Sequence, residues 1–343
     1  MTLDEESDRE RNTMKQRHVD QIAATAAAVQ KKLASGGVNS FYFVACGGSQ
    51  AFMMPIQYMF DREIAIPSFI YTSNEFNYAT PKGFDEHSVV ITCSHSGTTP
   101  ETVEAARRAT AAGALSIALS NEEGSPLWEA CQYPVHYDHG PEAVMCDKNN
   151  AILYALAFSI LKVVAPDQED RWDAGIRAIE SLGEMSDKAV ELYKERTVEW
   201  AEANKRDPFV YTMGSGASYG EMYSLAICFF MEMQWVNSSC IHSGEYFHGP
   251  FEVTDYDVPF VITLGNGRTR HLDERALAFA RKYSKQLLVI DENDFDLTAV
   301  DESLREYFAP IVEAAVVRCM IDALAHDRGH DLSTRRYMWQ MEY

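Results

Sequence analysis

Residues 94–102 have the sequence SHSGTTPET and lie between two segments of different character. The preceding run at 89–93, VVITC, is apolar and predicts a buried strand, whereas the following run at 103–109, VEAARRA, predicts a helix. A strand, a turn and a helix in this order place small hydroxyl side chains and free backbone N–H groups at a helix N-terminus. Pro100 fits the first helical position, where its missing N–H costs little. The segment therefore predicts a binding loop for a phosphate monoester.

A second strand-to-helix turn strengthens this prediction. Residues 43–51, FVACGGSQA, place Ser49 where it can contact the same phosphate, beside Gly47 and Gly48. Because the chain has no G-x-x-x-x-G-K-[ST] run, we expect a small phosphorylated ligand rather than a magnesium-bound nucleotide. Taken alone, residues 94–99 also fit an ordinary helix cap rich in Ser and Thr. The predicted phosphate contacts are Gly47, Gly48, Ser49, Ser94, His95, Ser96, Gly97 and Thr99.

Composition limits the possible functions. The chain has 343 residues, enough for two domains, and 46% of them are hydrophobic. A formal net charge of −21 argues against nucleic acid or an anionic membrane as a partner. The charged N-terminal region lacks the apolar segment of a signal sequence, and no apolar stretch approaches membrane-spanning length. Seven scattered cysteines without C-x-x-C spacing predict free thiols in a reducing compartment, so we expect a cytoplasmic protein.

The two halves of the chain repeat one plan. In each half, apolar strand candidates alternate with helical patterns, which predicts a parallel sheet flanked by helices. Glycine turns that begin at Gly47 and Gly214 indicate a degenerate duplication. We expect an α/β fold with two tandem domains, 1–190 and 191–343, joined by a helical stretch at 173–204. The predicted strands are 41–46, 68–72, 88–93, 115–119 and 133–137, then 208–213, 239–242, 259–264 and 286–290.

The duplication is unequal. After the strand candidate at 259–264, residues 265–270 have the sequence GNGRTR, which lacks the Ser-rich loop of the first half. We therefore expect one phosphate site, in the first half. The turn at 214–220 matches G-x-G-x-x-x-G, but His242 and Ser243 stand where a dinucleotide site needs an acid. We expect no cofactor and, because no Cys/His cluster has metal-ligand spacing, no metal.

Three segments together are similar to the SIS (sugar isomerase) domain family of phosphosugar-binding proteins. They are the two turns already described and residues 245–252, EYFHGPFE. The general resemblance spans nearly the whole chain. The run at 243–276 and the tail at 335–343 resemble the fructosamine-6-phosphate deglycases, whose best-known member acts on fructoselysine 6-phosphate. The resemblance implies two SIS-type domains and a small phosphosugar-amine substrate.

One carboxylate stands out in a helix predicted at 217–235. Glu232 falls on one face of an α-helix, in a stripe whose other members are Leu225, Cys228 and Phe229. A carboxylate in such apolar surroundings holds its proton more tightly and suits proton transfer near neutral pH. From the residue alone, the alternative is that Glu232 lies near the helix end and turns into water. We expect the core to include the neighbouring side chains Phe229, Phe230, Met231, Met233 and Trp235.

The resemblance implies roles for these residues. In the isomerase half of glucosamine-6-phosphate synthases, which is similar in layout, a helix Glu is the base and the His of a later His-Gly-Pro is the ring-opening acid. Glu232 and His248 have the spacing of that pair. Glu245 either orients the substrate amine or bonds backbone N–H groups of its own turn. Arg335 and Arg336 are expected to select the amine half of the substrate.

Two departures from the synthase pattern favour a deglycase. Phe229 stands where the synthases have a Lys, and the tail at 335–343 has no Lys to form a Schiff base with a free ketose. An Amadori substrate already has its nitrogen at C1, so we predict hydrolysis of a 6-phosphorylated fructosamine to glucose 6-phosphate and an amine. The alternatives are an aldose–ketose phosphosugar isomerase and a non-catalytic phosphosugar sensor. The resemblance also implies a site completed by a neighbouring subunit, hence a homodimer or larger homo-oligomer.

Overall fold

The computed structural model describes residues 13–342, which form two compact units. Unit 1 runs to Gly183 and includes Ala299–Asp301, and unit 2 contains the residues from Glu184 onward apart from that segment. Each unit holds one parallel sheet with flanking helices, which confirms the predicted α/β fold with two domains. The domain boundary expected between 190 and 191 stays a prediction. The compact units of the structure divide between Gly183 and Glu184.

Unit 1 is built on a five-stranded parallel sheet with the strand order β2-β1-β3-β4-β5. The neighbouring strands β1 and β3 are buried at every residue, which explains why their sequences are largely apolar without alternation. Every strand predicted in this half is confirmed to within one residue at each end. The strands are β1 Ser40–Ala45, β2 Ser68–Thr72, β3 Ser88–Cys93, β4 Leu115–Ser120 and β5 Tyr133–His136.

The helices of unit 1 follow local sequence signals. Helix α4 has Pro100 at its first position, as predicted, because the missing N–H would have no intrahelical partner there. Helix α6 is buried along most of its length, including Ile152, Leu156 and Ile160, and belongs to the core of this unit. The helices are α1 Gln16–Ser35, α2 Gly47–Glu63, α3 Ser73–Tyr78, α4 Pro100–Ala111, α5 Pro126–Ala130, α6 Asn149–Val164 and α7 Glu169–Ala178.

No single helix of the described chain is long and apolar enough to cross a bilayer. Two consecutive helical segments, Asn149–Val164 and Pro166–Asn204, are long and apolar enough for this only when they are taken together. The chain bends by 116° between them. The apolar part of this pair is α6, whose side chains are mostly buried within unit 1.

Unit 2 repeats the plan with a four-stranded parallel sheet in the order β7-β6-β8-β9. This order matches β2-β1-β3-β4 of unit 1, which supports the duplication inferred from the two glycine turns. The predicted strands of this half are confirmed, with shifts of at most two residues at their ends. A buried cluster that includes Met213, Phe260 and Leu277 packs against this sheet. The strands are β6 Phe209–Gly214, β7 Asn237–His242, β8 Phe260–Leu264 and β9 Leu287–Asp291.

The helical stretch predicted at 173–204 is interrupted. A short 3₁₀ turn at Ile179–Ser181 separates α7 from α8, Leu182–Asn204. Side chains three residues apart lie above one another in a 3₁₀ turn, and this turn buries both Ile179 and Leu182. The next helices of unit 2 are α9 Tyr219–Ser224, α10 Arg270–Tyr283 and α11 Arg305–Arg328.

The helix predicted at 217–235 changes type along its length. After α9 it continues as a π-helix, Leu225–Met233. Its backbone hydrogen bonds span five residues instead of four, as in the 3.0 Å bond from the Gln234 N–H to the Phe229 carbonyl. The wider turn changes which positions share a face, so the α-helical period used for the sequence does not apply to this segment.

Burial along the π-helix shows the consequence. Leu225 and Phe230, five residues apart, are both fully buried, whereas Met231 and Trp235 are each 40% exposed. The prediction that Met231 and Trp235 belong to the core is therefore wrong, because both side chains lie on the solvent side of this segment.

Candidate active site

The two predicted phosphate-binding turns follow adjacent strands of unit 1. β1 pairs with β3 in parallel, with Ala45 opposite Cys93, so the chain leaves both strands at the same edge of the sheet. The strand order changes direction between β1 and β3, and such a switch point is where open α/β sheets bind ligands. The structure therefore brings the turns at 46–49 and 94–99 together.

Each turn runs directly into a helix N-terminus. α2 begins at Gly47 and α4 at Pro100, and within the described chain neither helix has a side-chain cap. Gly47 and Gly48 are exposed, and Gly47 has a φ of +55°, which favours glycine. Ser49, in the first turn of α2, is half-buried and contacts the thiol of Cys93. Uncapped N–H groups and the positive end of the helix dipole suit a phosphate monoester.

The loop between β3 and α4 is ordered by its own hydroxyl groups. The Ser94 and Thr99 oxygens are 2.8 Å apart, and those of Ser96 and Thr98 are 2.7 Å apart. Ser94 is buried and anchors the loop, whereas Ser96 and Thr98 are exposed. The loop thus presents hydroxyl donors at its outer side, next to the N-terminus of α4.

Gly97 makes this loop possible. Its φ of +64° lies in the left-handed region, and a Cβ at this position would lie only 2.0 Å from Ser125 Oγ. The Gly97 carbonyl accepts a hydrogen bond from the Leu127 N–H at 2.9 Å. The loop therefore packs so closely against the segment before α5 that a side chain does not fit.

His95 is exposed and contacts two neighbouring rings. Its Nδ1 is 3.0 Å from Tyr137 Oη, and the ring of His139 packs edge-on at a centroid distance of 4.5 Å. Partial desolvation, followed by the charge of His139, lowers the pKa of His95, while Glu122 acts in the opposite direction. The lowered pKa favours the neutral imidazole of His95 over the charged form.

In unit 2 the corresponding switch point lies between β6 and β8, and a carboxylate occupies it. Asp273 accepts hydrogen bonds from Ser215 Oγ at 2.7 Å and from the Gly265 N–H at 3.1 Å. Ser215 directly follows β6 and Gly265 directly follows β8. In unit 1, the two turns predicted to bind phosphate follow β1 and β3 in the same way.

Glu292 fills the same edge of the second sheet. It accepts hydrogen bonds from Ser218 Oγ at 2.6 Å and from the Asn266 N–H at 2.8 Å. Burial raises the pKa of Glu292 although both hydrogen bonds oppose the shift, and burial also raises the pKa of Glu313. The protein's own carboxylates thus use donors that would otherwise face an anion, which agrees with one phosphate site in unit 1.

Glu232 lies on the π-helix with its side chain 24% exposed. Its Oε1 is 2.8 Å from Nη2 of Arg335. Burial raises the pKa of Glu232, and the charge and hydrogen bond of Arg335 act against this shift. Glu232, Arg335 and Arg336 line one cavity of about 600 Å³. The structure thus brings together three residues that the sequence assigned to the site.

The C-terminal segment packs onto the end of the π-helix. The Arg336 guanidinium lies 4.2 Å from the centre of the Trp235 ring, and Gln234 Nε2 donates a 2.8 Å hydrogen bond to the His330 carbonyl. Trp235 has a φ of +54°, a conformation that is rare for a bulky residue. These contacts hold the tail beside Glu232.

His248 and Glu245 lie on an exposed loop of unit 2. A 3₁₀ turn at Tyr246–His248 orders the loop, with the His248 N–H donating to the Glu245 carbonyl at 2.8 Å. Both side chains are exposed, and neither is among the residues that line the cavity beside Glu232. The structure therefore does not bring His248 or Glu245 into contact with Glu232 within the described chain.

Three side chains of unit 1 place potential metal ligands near one another: His18, His136 and Asp138. His18 Nε2 is 3.1 Å from His136 Nδ1, and Asp138 forms ion pairs with Lys15 and Arg17. Because two cations already balance Asp138 and the imidazoles bond to each other, we assign this cluster to structure rather than to metal binding.

The sequence did not single out Tyr137, Asp273 or Glu292. Each forms a hydrogen bond with a residue that is distant in the chain: Tyr137 with His95, Asp273 with Ser215 and Glu292 with Ser218. No local pattern distinguishes these residues from other acids and aromatic residues of the chain.

A model of the SIS domain family matches residues 37–164, which contain both turns predicted to bind phosphate. The chain is 46% identical over 307 residues to fructosamine deglycase FrlB of Bacillus subtilis (strain 168), covering 89% of this chain and 93% of that protein. It is also 25% identical over 312 residues to fructoselysine 6-phosphate deglycase of Escherichia coli (strain K12), covering 90% of this chain and 88% of that protein.

A solved structure agrees with these sequence matches. A Bacillus subtilis protein, provisionally described as a phosphosugar isomerase, has a TM-score of 0.89 and 44% identity, covering 94% of this chain and all of that chain. Identity at this level over most of both chains establishes common descent and a common fold. The chain therefore belongs to the SIS domain family and, within it, to the fructosamine deglycases.

Proposed function

We propose that this enzyme cleaves a 6-phosphorylated fructosamine to glucose 6-phosphate and a free amine. The two relatives, a fructosamine deglycase and a fructoselysine 6-phosphate deglycase, support this substrate class. The phosphate binds at the switch point of unit 1, where uncapped helix N-termini and exposed hydroxyls meet. Its proposed contacts are Gly47, Gly48, Ser49, Ser94, His95, Ser96, Gly97 and Thr99.

The reaction begins with opening of the cyclic hemiketal. His248 protonates the ring oxygen, the bond from that oxygen to C2 breaks, and the C2 hydroxyl returns a proton to His248 as C2 becomes a ketone. Glu232 then removes a proton from C1, which is acidic because it lies next to the C2 carbonyl. The C2 oxygen takes up a proton from His248, and an enaminol forms. Glu245 and Arg336 are proposed to contact the amine half of the substrate.

The substrate nitrogen completes the chemistry. Reprotonation at C2 lets the nitrogen electron pair form a C1=N imine. Water adds to C1, the C1–N bond breaks with a proton moving to nitrogen, and C1 becomes the aldehyde of glucose 6-phosphate. The reaction is a hydrolysis that needs one base and one acid, and we propose no cofactor.

The position of Glu232 is the observation that carries this proposal. The carboxylate is half-buried, it lines a cavity large enough for a sugar derivative, and burial raises its pKa while Arg335 opposes the rise. A carboxylate in this balance accepts a proton at C1 and returns it at C2 near neutral pH.

We also propose a cytoplasmic homodimer or larger homo-oligomer. Met231 and Trp235 are large apolar side chains, each 40% exposed, on the segment next to Glu232, and a second subunit that covers them removes apolar surface from water. His248 is exposed and accessible to a neighbouring subunit. The seven cysteines are free, which supports a reducing compartment.

A panel of phosphorylated Amadori compounds, including fructoselysine 6-phosphate, tests the proposed reaction. Glucose-6-phosphate dehydrogenase reports the sugar product, and direct quantification reports the amine. We expect equal amounts of both products, and little conversion of fructose 6-phosphate under the same conditions. Rapid turnover of fructose 6-phosphate with no fructosamine cleaved would establish an isomerase instead. Binding of sugar phosphates without any turnover would establish a sensor.

A further inference from the structure

Arg335 is held in place by its own segment of the chain. Its Nη1 donates to the Leu332 carbonyl at 2.7 Å and to the Thr334 carbonyl at 3.0 Å, and the guanidinium lies 5.3 Å from the centre of the Trp339 ring. The side chain is only 7% exposed. The direction in which Nη2 points at Glu232 is therefore set by the tail and not by the carboxylate.

We propose that Arg335 is a positioning residue for the base: it fixes Glu232 through Oε1 and leaves Oε2 to exchange the substrate proton. This proposal rests on the proposed role of Glu232 and replaces the substrate-binding role that the sequence predicted for Arg335. Within the described chain, Glu232 forms its ion pair with Arg335 through Oε1, and no other hydrogen bond of its carboxylate is found.

The other ionisable groups around Glu232 supply no equivalent charge. Cys228, on the same helix, is buried, and burial raises its pKa to about 12, so it is a neutral thiol. Arg336 and Tyr337 line the same cavity from the tail, but both are exposed and the Arg336 guanidinium lies over Trp235. Arg335 is thus the buried cation that contacts the base in the described structure.

The charge of Arg335 has a defined effect on the reaction. A guanidinium stays protonated throughout the working range of an enzyme. Burial favours the protonated, inactive form of Glu232, and the adjacent guanidinium favours the ionised, active form. The pair therefore keeps the base ionised at a lower pH than burial alone would permit, and it fixes which oxygen receives the proton.

The pH dependence of kcat tests this role. Arg335→Met removes the charge with little change in side-chain length, Arg335→Gln removes it but keeps a donor, and Arg335→Lys keeps it. We expect the acidic limb of kcat to move up by about 1–3 pH units in Arg335→Met and Arg335→Gln. Activity should return as the pH rises. In Arg335→Lys, kcat should fall on the acidic side at a pH close to that of the wild type.

Two control variants keep the outcomes distinct. Arg318→Met removes an exposed positive charge elsewhere in unit 2 and should leave the limb in place. An unmoved limb with a raised KM in folded Arg335 variants would make Arg335 a substrate-binding residue, and equal loss of kcat at every pH would make it structural; either result overturns the proposal. If Glu232→Gln keeps its kcat, the proposed base itself is wrong, whereas an inactive Glu232→Gln with unmoved Arg335 limbs rejects the positioning role alone.

Discussion

The Ser218 hydroxyl donates a 2.6 Å hydrogen bond to Oε1 of Glu292, a carboxylate buried just beyond β9. Glu292 thereby places a carboxyl group of the protein itself at the switch point of unit 2. In unit 1, Gly47 and Gly48 leave the first N–H groups of α2 exposed at the corresponding edge. The duplicated fold thus has one switch point with exposed helix N–H groups and one that internal carboxyl groups fill.

Glu292→Gln is expected to make unit 2 less sensitive to rising pH. Burial raises the folded-state pKa of Glu292 above 4.5, the ordinary value that applies in the unfolded chain. The folded protein therefore binds more protons than the unfolded chain above pH 4.5. The stability linked to this proton is fully present below pH 4.5 and is lost as the pH rises through the folded-state pKa. A neutral Gln does not suffer this loss.

Urea unfolding at pH 5.5 and pH 8.5 measures the effect. The free energy of unfolding of Glu292→Gln minus that of the wild type should be larger at pH 8.5 than at pH 5.5 by about 1–3 kcal/mol. The variant therefore gains stability relative to the wild type as the pH rises. Glu199→Gln, an exposed acid on α8, should show the same difference at both values of pH. Identical differences for Glu292→Gln at the two values would show that Glu292 is ionised throughout.

Gly97→Ala should destabilise unit 1 more than Gly124→Ala. Both glycines have a positive φ, +64° and +68°, so both variants accept backbone strain of about 1–2 kcal/mol. A Cβ at Gly97 would lie 2.0 Å from Ser125 Oγ, whereas nothing lies within 4 Å of one at Gly124. Overpacking should add about 1–3 kcal/mol at Gly97 alone. Denaturant unfolding checks this, and equal losses in the two variants would contradict the packing of the loop.

Ser96→Ala should weaken substrate binding through the phosphate. Ser96 is exposed in the loop before α4, and a hydrogen bond to a charged group contributes about 1.5–3 kcal/mol. We expect KM for a fructosamine 6-phosphate to rise tenfold or more, with kcat within about threefold of the wild type. Ser35→Ala, an exposed serine of α1, is the matched control. Equal kcat/KM of the wild type for phosphorylated and unphosphorylated fructosamines would reject the phosphate site.

Glu232→Gln should abolish proton removal from C1 and leave the fold intact. Loss of a general base lowers kcat by about 10²–10⁴-fold. Gln has the same shape and can still accept a hydrogen bond from Arg335, so the melting temperature should change little. Glu252→Gln, an exposed acid in the loop after His248, controls for the loss of one negative charge. A Glu232→Gln enzyme with near-normal kcat on a verified substrate would assign the base elsewhere.

Met231→Glu should weaken subunit association. Met231 is 40% exposed on the π-helix, and a charge there disfavours burial in an interface. Analytical ultracentrifugation should find a homodimer or larger for the wild type and smaller species for the variant, with activity falling on dilution. Leu192→Glu, which changes an apolar residue of α8 that is 47% exposed, is the control. A wild-type monomer that is fully active at low nanomolar concentration would contradict the assembly.

Local sequence patterns were enough to place the strands and the two strand-to-helix turns of unit 1. A buried parallel strand needs a continuous apolar run, so β3 and its neighbours are visible in the sequence alone. The turn at 94–99 is equally visible, because glycine at a positive φ, clustered hydroxyls and Pro100 at the helix start are all requirements of a few adjacent residues.

Long-range contacts decided the rest. The π-helix at Leu225–Met233 shifted the faces counted with an α-helical period, because its hydrogen bonds depend on how the whole segment packs. Glu232 and Arg335 are about a hundred residues apart, and neither residue type predicts the other as its partner. Glu292 fills the switch point of unit 2 only because folding brought Ser218 and a backbone N–H to it. Such pairings depend on burial and distance, which arise only when separate parts of the chain meet.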